Sequence, residues 1–326
     1  VLKIVTSIVD LVSFQDNIVS CDQFNSSPKA IALGNFDGIH QGHQKVIEPI
    51  FNAQSSKDIS PCLVTFIPHP QEFFSGEQKK LLTPILEKSI LLEQLGIEQL
   101  ILLPFDRELA NLTPQEFVLD ILIKKINATF ISIGEDFRFG YKRQGNAQDL
   151  KSIANQHNVK VNITTEQKIL LCKNFQRVSS SHIRKCLDEG KISLANHMLG
   201  REYQLIGKVI KGKQLGRTIG FPTANLAIPS EKFLPQNGVY AVKVNLSDDR
   251  SANIPAVMNI GNRPTINGEN LSVEVHLLDW QGDLYGKTLL VKLLDFIRPE
   301  YQFASLQKLK EQIELDCQKA KKQIFS

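Results

Sequence analysis

Ala30-Ile31-Ala32-Leu33-Gly34-Asn35-Phe36-Asp37-Gly38-Ile39-His40-Gln41-Gly42-His43 is the stretch on which the fold of the front half turns. A short apolar run ends on a glycine, crosses a turn that holds Gly38 and Gly42, and enters a segment of helical pattern. That order reads as strand, loop and helix of an α/β unit. Glycines at a strand exit let the backbone approach a phosphate closely, and the helix start that follows offers free N–H groups and a positive dipole end. His40 and His43 lie three residues apart, so on a first helical turn both can point the same way. Two imidazoles so placed can donate hydrogen bonds to a triphosphate as charge moves onto pyrophosphate. An isolated pair of histidines beside a turn reads as surface residues; glycines on both sides of a strand-to-helix junction favour the chemical reading. The phosphate-facing set expected here is Gly34, Asn35, Phe36, Asp37, His40, Gly42 and His43.

Working outward, the same alternation of β-rich runs and helical stretches continues to about residue 165. Strands are expected at Ala30 to Leu33, Cys62 to Phe66, Gln99 to Leu103, Phe130 to Ile133 and Val159 to Ile163. Such alternation predicts a parallel sheet covered by helices. The clearest helix start is Thr113-Pro114-Gln115-Glu116, which combines an N-cap hydroxyl, a proline at the first position and a capping-box glutamate. Its core stripe is expected to be Phe117, Val118, Ile121 and Leu122.

Beyond about residue 200 the period changes to two, as in Tyr240, Val242, Val244 and Leu246 alternating with Lys243 and Asn245. Strands at Leu205 to Ile210, Ala256 to Ile260, Ser272 to Leu278 and Leu289 to Leu294 complete an antiparallel sheet or small barrel. A terminal helix carries Leu306, Leu309, Ile313, Cys317, Ala320 and Ile324 at helical spacing, a stripe expected to pack on the barrel. Residues 182 to 200 read as two short helices separated by Gly190, and the division of the chain falls there. The domains expected are 1–186, a linker at 187–200, and 201–326.

A chain of 326 residues suits two domains. Its 38 basic and 34 acidic residues are spread without long like-charge runs, which is weak evidence for nucleic acid; a mildly basic surface equally suits a polyanion such as ATP, and no nucleic-acid partner is expected. Cys21, Cys62, Cys172, Cys186 and Cys317 are odd in number and form no Cys-x-x-Cys pair. They read as free thiols in a reducing cytoplasm and not as a zinc site. No window approaches the roughly 20 apolar residues of a bilayer span, and the first residues lack a signal-peptide layout. A cytoplasmic monomer or weak homo-oligomer without membrane contact is expected.

Two further pieces carry chemistry. Ser179-Ser180-Ser181-His182-Ile183-Arg184 places three hydroxyls and an arginine at a helix start, where serines can cap and also donate to phosphate oxygens. Read alone it is a plain serine cap with an exposed arginine. In the rear half, Gly212-Lys213-Gln214-Leu215-Gly216-Arg217-Thr218-Ile219-Gly220-Phe221-Pro222-Thr223-Ala224-Asn225 suggests a loop wrapping an anion, with Thr223 and Asn225 as neutral oxygen ligands for a magnesium-nucleotide. A glycine-rich hairpin without a ligand is the rival. Within Ser272-Val273-Glu274-Val275-His276-Leu277, Glu274 and His276 share one face of a strand. A carboxylate fixed there at a barrel mouth can take the proton of an attacking hydroxyl, although a solvated strand face is the usual fate of such a glutamate.

His40-Gln41-Gly42-His43 with Ser179 to Arg184 resembles the nucleotidylyltransferase superfamily. Thr65-Phe66-Ile67-Pro68-His69-Pro70, and Gly134-Glu135-Asp136-Phe137-Arg138-Phe139-Gly140 followed by Gly145-Asn146, narrow the likeness to the adenylyltransferase half of bacterial bifunctional riboflavin kinase/FAD synthetases. The rear motifs, with Leu234 to Tyr240, Asn259 to Thr265 and Ile297 to Glu300, resemble the riboflavin kinase module of the same family. The resemblance implies a Rossmann-like front domain and a six-stranded antiparallel β-barrel with a terminal helix. It implies that ATP phosphates are held by His40, His43, Ser180 and Arg184, with Ser179 and Ser181 beside them. Asp136, Phe137, Arg138, Phe139 and Asn146 would lie near the flavin or nucleotide. In the rear, Gly212, Gly216, Gly220 and Pro222 would shape the ATP loop, Thr223 and Asn225 would hold Mg2+ and phosphate, and Glu274 would be general base. The substrates and products implied are ATP, riboflavin, FMN and FAD. Ser181 stands where many relatives have threonine, which keeps the hydroxyl. Two alternatives are an adenylyltransferase whose kinase module only holds flavin and a flavin sensor without turnover, and Glu274 and the complete histidine pair argue against both; a third, an adenylyltransferase acting on another phosphate ester, is disfavoured by the kinase-like second domain.

Overall fold

The computed structural model describes residues 2–6, 18–20, 27–53, 59–171, 174–212, 216, 219–246, 252–265 and 268–325. Cys21, Cys172 and the Lys213–Leu215 and Arg217–Thr218 parts of the glycine-rich run lie outside them, as does most of the first 14 residues. The chain divides into two units, Val1–Ser179 and Ser180–Ser326.

In chain order the first unit holds strands β1 (Lys3–Thr6), β2 (Ile18–Ser20) and β3 (Lys29–Leu33), helix α1 (Gln41–Asn52), β4 (Ser60–Ile67), α2 (Pro70–Ser75), α3 (Ile85–Gln94), β5 (Gln99–Pro104), α4 (Arg107–Asn111) and α5 (Pro114–Glu116). There follow β6 (Ala128–Gly134), a ribbon of β7 (Arg138–Phe139) and β8 (Gly145–Asn146), α6 (Ala147–Asn155), β9 (Lys160–Thr164) and a hairpin of β10 (Lys168–Leu171) with β11 (Asn174–Arg177). The main sheet runs β2-β1-β5-β4-β3-β6-β9. Every pairing in it is parallel. All five residues of β3 are buried because helices cover both faces. Ile31 and Leu33 face a core with Val118, Leu122 and Leu150, while Ala30 and Ala32 face one with Val46, Ile47, Ile50 and Leu92.

The five expected strands form the middle and one side of this sheet. The other edge, β1 and β2, carries too short a pattern to announce itself. The helix start at Thr113 forms as expected, with both arms of the capping box. Past Glu116, however, the chain continues over Phe117–Lys125 in π-helical form. Val118, Leu122 and Ile126 are fully buried at a spacing of four, which the wider i→i+5 turn keeps against the sheet.

The second unit begins with α7 (Ser180–Asp188) and α8 (Ile192–Leu199), separated by Gly190 with its φ of +67°. Strands β12 (Tyr203–Ile210), β13 (Ala224–Ala227), β14 (Gly238–Leu246), β15 (Ile254–Thr265), β16 (Gly268–Leu277) and β17 (Thr288–Arg298) close a barrel in the order β12-β13-β16-β15-β14-β17. All its pairings are antiparallel. Three hairpin-linked strands with β17 returning beside β14 make a Greek key. Five of the six strands follow from period two; β13 does not, being four residues inside a loop-like motif.

Helix α9 (Leu306–Phe325) packs outside the barrel, where Ala320, Cys317 and Ile324 meet Val239, Ala241, Val257 and Ile297. The expected stripe needs one correction: Leu306 is 66% exposed. The helix is held in its middle instead, where buried Asp316 takes a forked ion pair from Arg298, with a shortest contact of 2.8 Å.

Candidate active sites

The front sheet reverses direction at β3: the chain lays β4 and then β5 to one side, and β6 and then β9 to the other. Open α/β sheets bind ligands outside the carboxyl ends of the strands at such a switch point. The loop leaving β3 is Gly34 to His40, and the loop leaving β6 opens with Glu135 and Asp136.

The β3 loop is strained and heavily braced. Phe36, Gly38 and Ile39 have φ of 47°, 91° and 41°. A β-branched residue such as Ile39 is a genuine outlier there, and strain of this kind costs about 1–3 kcal/mol per residue. Phe36 and Ile39 are sunk in the core at 1% exposure. Buried Asp37 accepts from Thr83 N at 3.1 Å, and Thr83 Oγ1 accepts from Gly38 N at 2.9 Å. Lys88 Nζ and Thr65 Oγ1 both donate to the Asn35 carbonyl, at 3.0 and 3.1 Å. Burial lowers the Lys88 pKa, and nearby Asp37 opposes that shift.

The bracing delivers His40 to the N-cap of α1. Its Nδ1 accepts from His43 N at 3.2 Å, so the neutral ring carries its proton on Nε2. The His40 and His43 rings stack at 3.6 Å with 15° between planes, and Phe36 meets His43 edge-on at 5.3 Å. A Cβ on Gly42 would stand 3.1 Å from the His40 ring, which explains the glycine. The first turn of α1 holds no acidic side chain, leaving its positive end uncompensated. The Val178 carbonyl lies 3.7 Å from that same Cβ position, so the segment running into Ser179 passes the start of α1.

Around β6, Arg177 bridges Asp136 and Glu166, each at 2.6 Å. Phe137 and Phe139 stack at 5.8 Å, and Phe139 lies over Gly145, where a Cβ would come within 2.8 Å of the ring. Arg138 pairs with Asn146 across the β7–β8 ribbon. Asn146 also caps α6 by accepting from Gln148 N and Asp149 N. Ser179 is half-buried at the end of the first unit. Ser180 and Ser181 form the first turn of α7, where Arg184 lies 5.7 Å from the Phe233 ring.

In the second unit the rear candidates converge. Val273, Val275 and Leu277 are buried, so Glu274 and His276, alternating with them, project from the other face of β16. Glu274 pairs laterally with Asn225 on β13 and with Asn259 on β15. Thr223 Oγ1 donates to Glu274 Oε2 at 3.0 Å. A Cβ at Gly212 would displace the Asn225 carboxamide, and one at Gly216 would collide with the Phe221 carbonyl. Gly220 turns the loop at a φ of +92°, two residues before Pro222. Thr223 Oγ1 and the Asn225 side-chain oxygen are hard donors beside a carboxylate, a set that fits Mg2+. Among the described residues no cluster of three or more His, Cys, Asp or Glu side chains offers a competing metal site.

Sequence reasoning missed Lys88, Thr83 and Arg177. A lysine in an amphipathic helix reads as solvated, and only the fold turns Lys88 inward.

A switch-point sheet with a histidine-capped helix, joined to a barrel with a threonine, asparagine and glutamate on its wall, defines a two-domain transferase that uses nucleotides. Family models for FAD synthetase and riboflavin kinase match residues 22–182 and 199–324. The chain belongs to the bifunctional riboflavin kinase/FMN adenylyltransferase family. It is 40% identical to the family's protein from Buchnera aphidicola subsp. Schizaphis graminum (strain Sg), over 91% of this chain and 94% of that one. It is 38% identical to that from Haemophilus influenzae, over 90% and 93%, and 37% identical to that from Escherichia coli (strain K12), over 88% and 90%. A solved structure described as a macrolide-efflux protein from Streptococcus pneumoniae shares the fold, with a TM-score of 0.79 and 32% identity over 89% of this chain and 92% of that one. Among the described residues of the present chain, no helix is long and apolar enough to cross a membrane.

Proposed function

We propose that this chain phosphorylates riboflavin to FMN on its rear barrel and adenylylates FMN to FAD on its front sheet, consuming one ATP at each step. The proposed domains are 1–186 for adenylyl transfer and 201–326 for the kinase, joined by 187–200. The observation that carries the reading is the Thr223–Glu274 bond of 3.0 Å beside Asn225, a base and two oxygen donors in one place.

In the kinase step Glu274 accepts the proton of the riboflavin 5′-hydroxyl as that oxygen bonds to the γ-phosphorus and the bond to ADP breaks. Thr223 and Asn225 would hold Mg2+, which would neutralise charge on the nucleotide phosphates. Gly212, Gly216, Gly220 and Pro222 shape the loop around them. In the second step an FMN phosphate oxygen attacks the α-phosphorus of ATP and pyrophosphate leaves. That oxygen is already anionic, so no base is needed. His40 and His43, with the N–H groups at the start of α1, stabilise the departing charge. Ser179, Ser180, Ser181 and Arg184 bind nucleotide phosphate, and the Asp136 to Phe139 segment with Asn146 lies by the flavin. The protein works in the cytoplasm as a monomer or weak homo-oligomer, without nucleic acid.

The test supplies riboflavin, ATP and Mg2+ to the purified chain and follows FMN and FAD separately by chromatography. FMN should appear first and FAD after it, and chelation should stop the kinase step. No FMN from riboflavin would remove the kinase assignment, and no FAD from supplied FMN the other.

A further inference from the structure

Two side chains project from the same face of β16, and both touch the same short segment of loop. Glu274 accepts from Thr223 Oγ1 at 3.0 Å. His276, two residues on, places Nδ1 2.8 Å from the Pro222 carbonyl oxygen. A carbonyl only accepts, so Nδ1 carries the proton and donates. The Phe221 ring packs edge-on against the same imidazole, with centroids 5.5 Å apart and 77° between planes. Phe221, Pro222 and Thr223 are thus gripped at three successive residues by one strand.

The grip matters because this segment leads directly into β13, which carries Asn225. Gly220 takes a φ of +92°, open to glycine, and Phe221 N is tied back to the Gly216 carbonyl at 2.8 Å. β13 begins only at Ala224. Thr223 therefore sits one residue before the first ladder residue, with its hydroxyl pointing at Glu274.

We infer that His276 is a positioning residue of the kinase reaction, holding Phe221 and Pro222 so that Thr223 and Asn225 meet the magnesium-nucleotide beside Glu274. It acts through the Pro222 carbonyl and the Phe221 ring. The inference rests on the kinase reading above and names a further participant in that site. Positioning defects of this kind cost roughly 10- to 100-fold in rate.

The experiment compares the full-length protein with His276→Phe, which keeps a ring against Phe221 but cannot donate, and His276→Asn, whose amide N–H stands close to where Nδ1–H was. Riboflavin phosphorylation and adenylylation of supplied FMN are measured on each. In His276→Phe, kcat of the kinase should fall roughly 10- to 100-fold and KM for Mg-ATP should rise, with KM for riboflavin unchanged. His276→Asn should recover most of the loss, and FAD formation from FMN should stay at the wild-type rate in both. Wild-type kinase kinetics in His276→Phe would overturn the inference, as would equal losses in the two variants, or a parallel loss of adenylylation that marks a general folding defect. Failure of the wild-type protein to make FMN would instead overturn the kinase reading itself, so the two are told apart.

Discussion

Lys88 Nζ lies 3.0 Å from the main-chain carbonyl of Asn35, 53 residues earlier in the chain. The bond ties a helix on one face of the sheet to the strained loop that presents His40. Thr65 donates to the same oxygen, so removing Lys88 leaves that carbonyl bonded while the loop loses a brace. Lys88→Met should therefore slow FAD formation from FMN by roughly 10- to 100-fold through misplacement of the loop. Riboflavin phosphorylation, run by the other unit, serves as the control and should not change. Equal rates of FAD formation in the two proteins would show that the loop holds its shape without the lysine.

Glu274 carries a more direct burden. Its Oε2 accepts from Thr223 and its neighbours across the sheet are Asn225 and Asn259. Glu274→Gln is nearly isosteric and can still accept from Thr223, but cannot take a proton. Loss of a general base is worth about 10²- to 10⁴-fold, so FMN formation should fall within that range. Conversion of supplied FMN to FAD should continue. FMN made at the normal rate would take the base role from Glu274.

At the front site the two histidines and one glycine form a unit. His43→Ala removes the donor proposed to act on the leaving pyrophosphate, and losses near 10²- to 10³-fold are expected for such groups. The variant should accumulate FMN from riboflavin and stop there. Gly42→Ala should give a similar block without removing any functional group, because its Cβ would press on the His40 ring from 3.1 Å. Wild-type FAD yield from either protein, measured by chromatography, would show that the stacked pair is not part of the chemistry.

How much of this was legible in sequence follows from which signals are local. The β3 loop, the Thr113 capping box and the period-two strands are written within a few residues, and each forms where expected. β13 is four residues inside a glycine and proline motif, too short for period two to register. Lys88, Asp37 and Thr83 meet only because α3 and the turn before it fold back over β3, and no spacing along the chain encodes that. Asp316 is the sharpest case. A charged residue in a helix reads as solvated, yet it is 3% exposed because Arg298 on the barrel faces it.

That buried pair gives a stability prediction independent of catalysis. Asp316→Ala would leave Arg298, whose side chain is 14% exposed, without its forked partner. Breaking one side of a buried ion pair costs about 3–5 kcal/mol, far more than an exposed pair contributes. The urea midpoint of the second unit should fall accordingly, followed by far-UV circular dichroism. Replacing both residues together, as Arg298→Met with Asp316→Leu, should recover most of the loss, since packed apolar groups serve a helix–barrel seam as well as an ion pair. A double variant as unstable as Asp316→Ala would locate the loss elsewhere.

The cysteines set a dependence on alkaline pH. Burial pushes the Cys62 thiol up to about 12, and burial together with the Asp316 carboxylate pushes Cys317 up to about 11. In the unfolded chain both titrate near an ordinary value of about 8.5. Above that value the unfolded state releases protons that the folded state still holds. Stability from these thiols is therefore complete below about pH 8.5 and lost as the pH climbs toward 11 and 12. Cys62→Val removes one titration, so its urea midpoint should decline less steeply than that of the wild-type protein between pH 8.5 and 10.5. The same burial shields Cys62 from iodoacetamide at pH 8 until the protein is denatured, because the thiolate is the reactive form. Parallel midpoint curves for the two proteins, or rapid alkylation of Cys62 in the folded state, would mean that water reaches this thiol and that the sheet around β3 and β4 opens more readily than its packing implies.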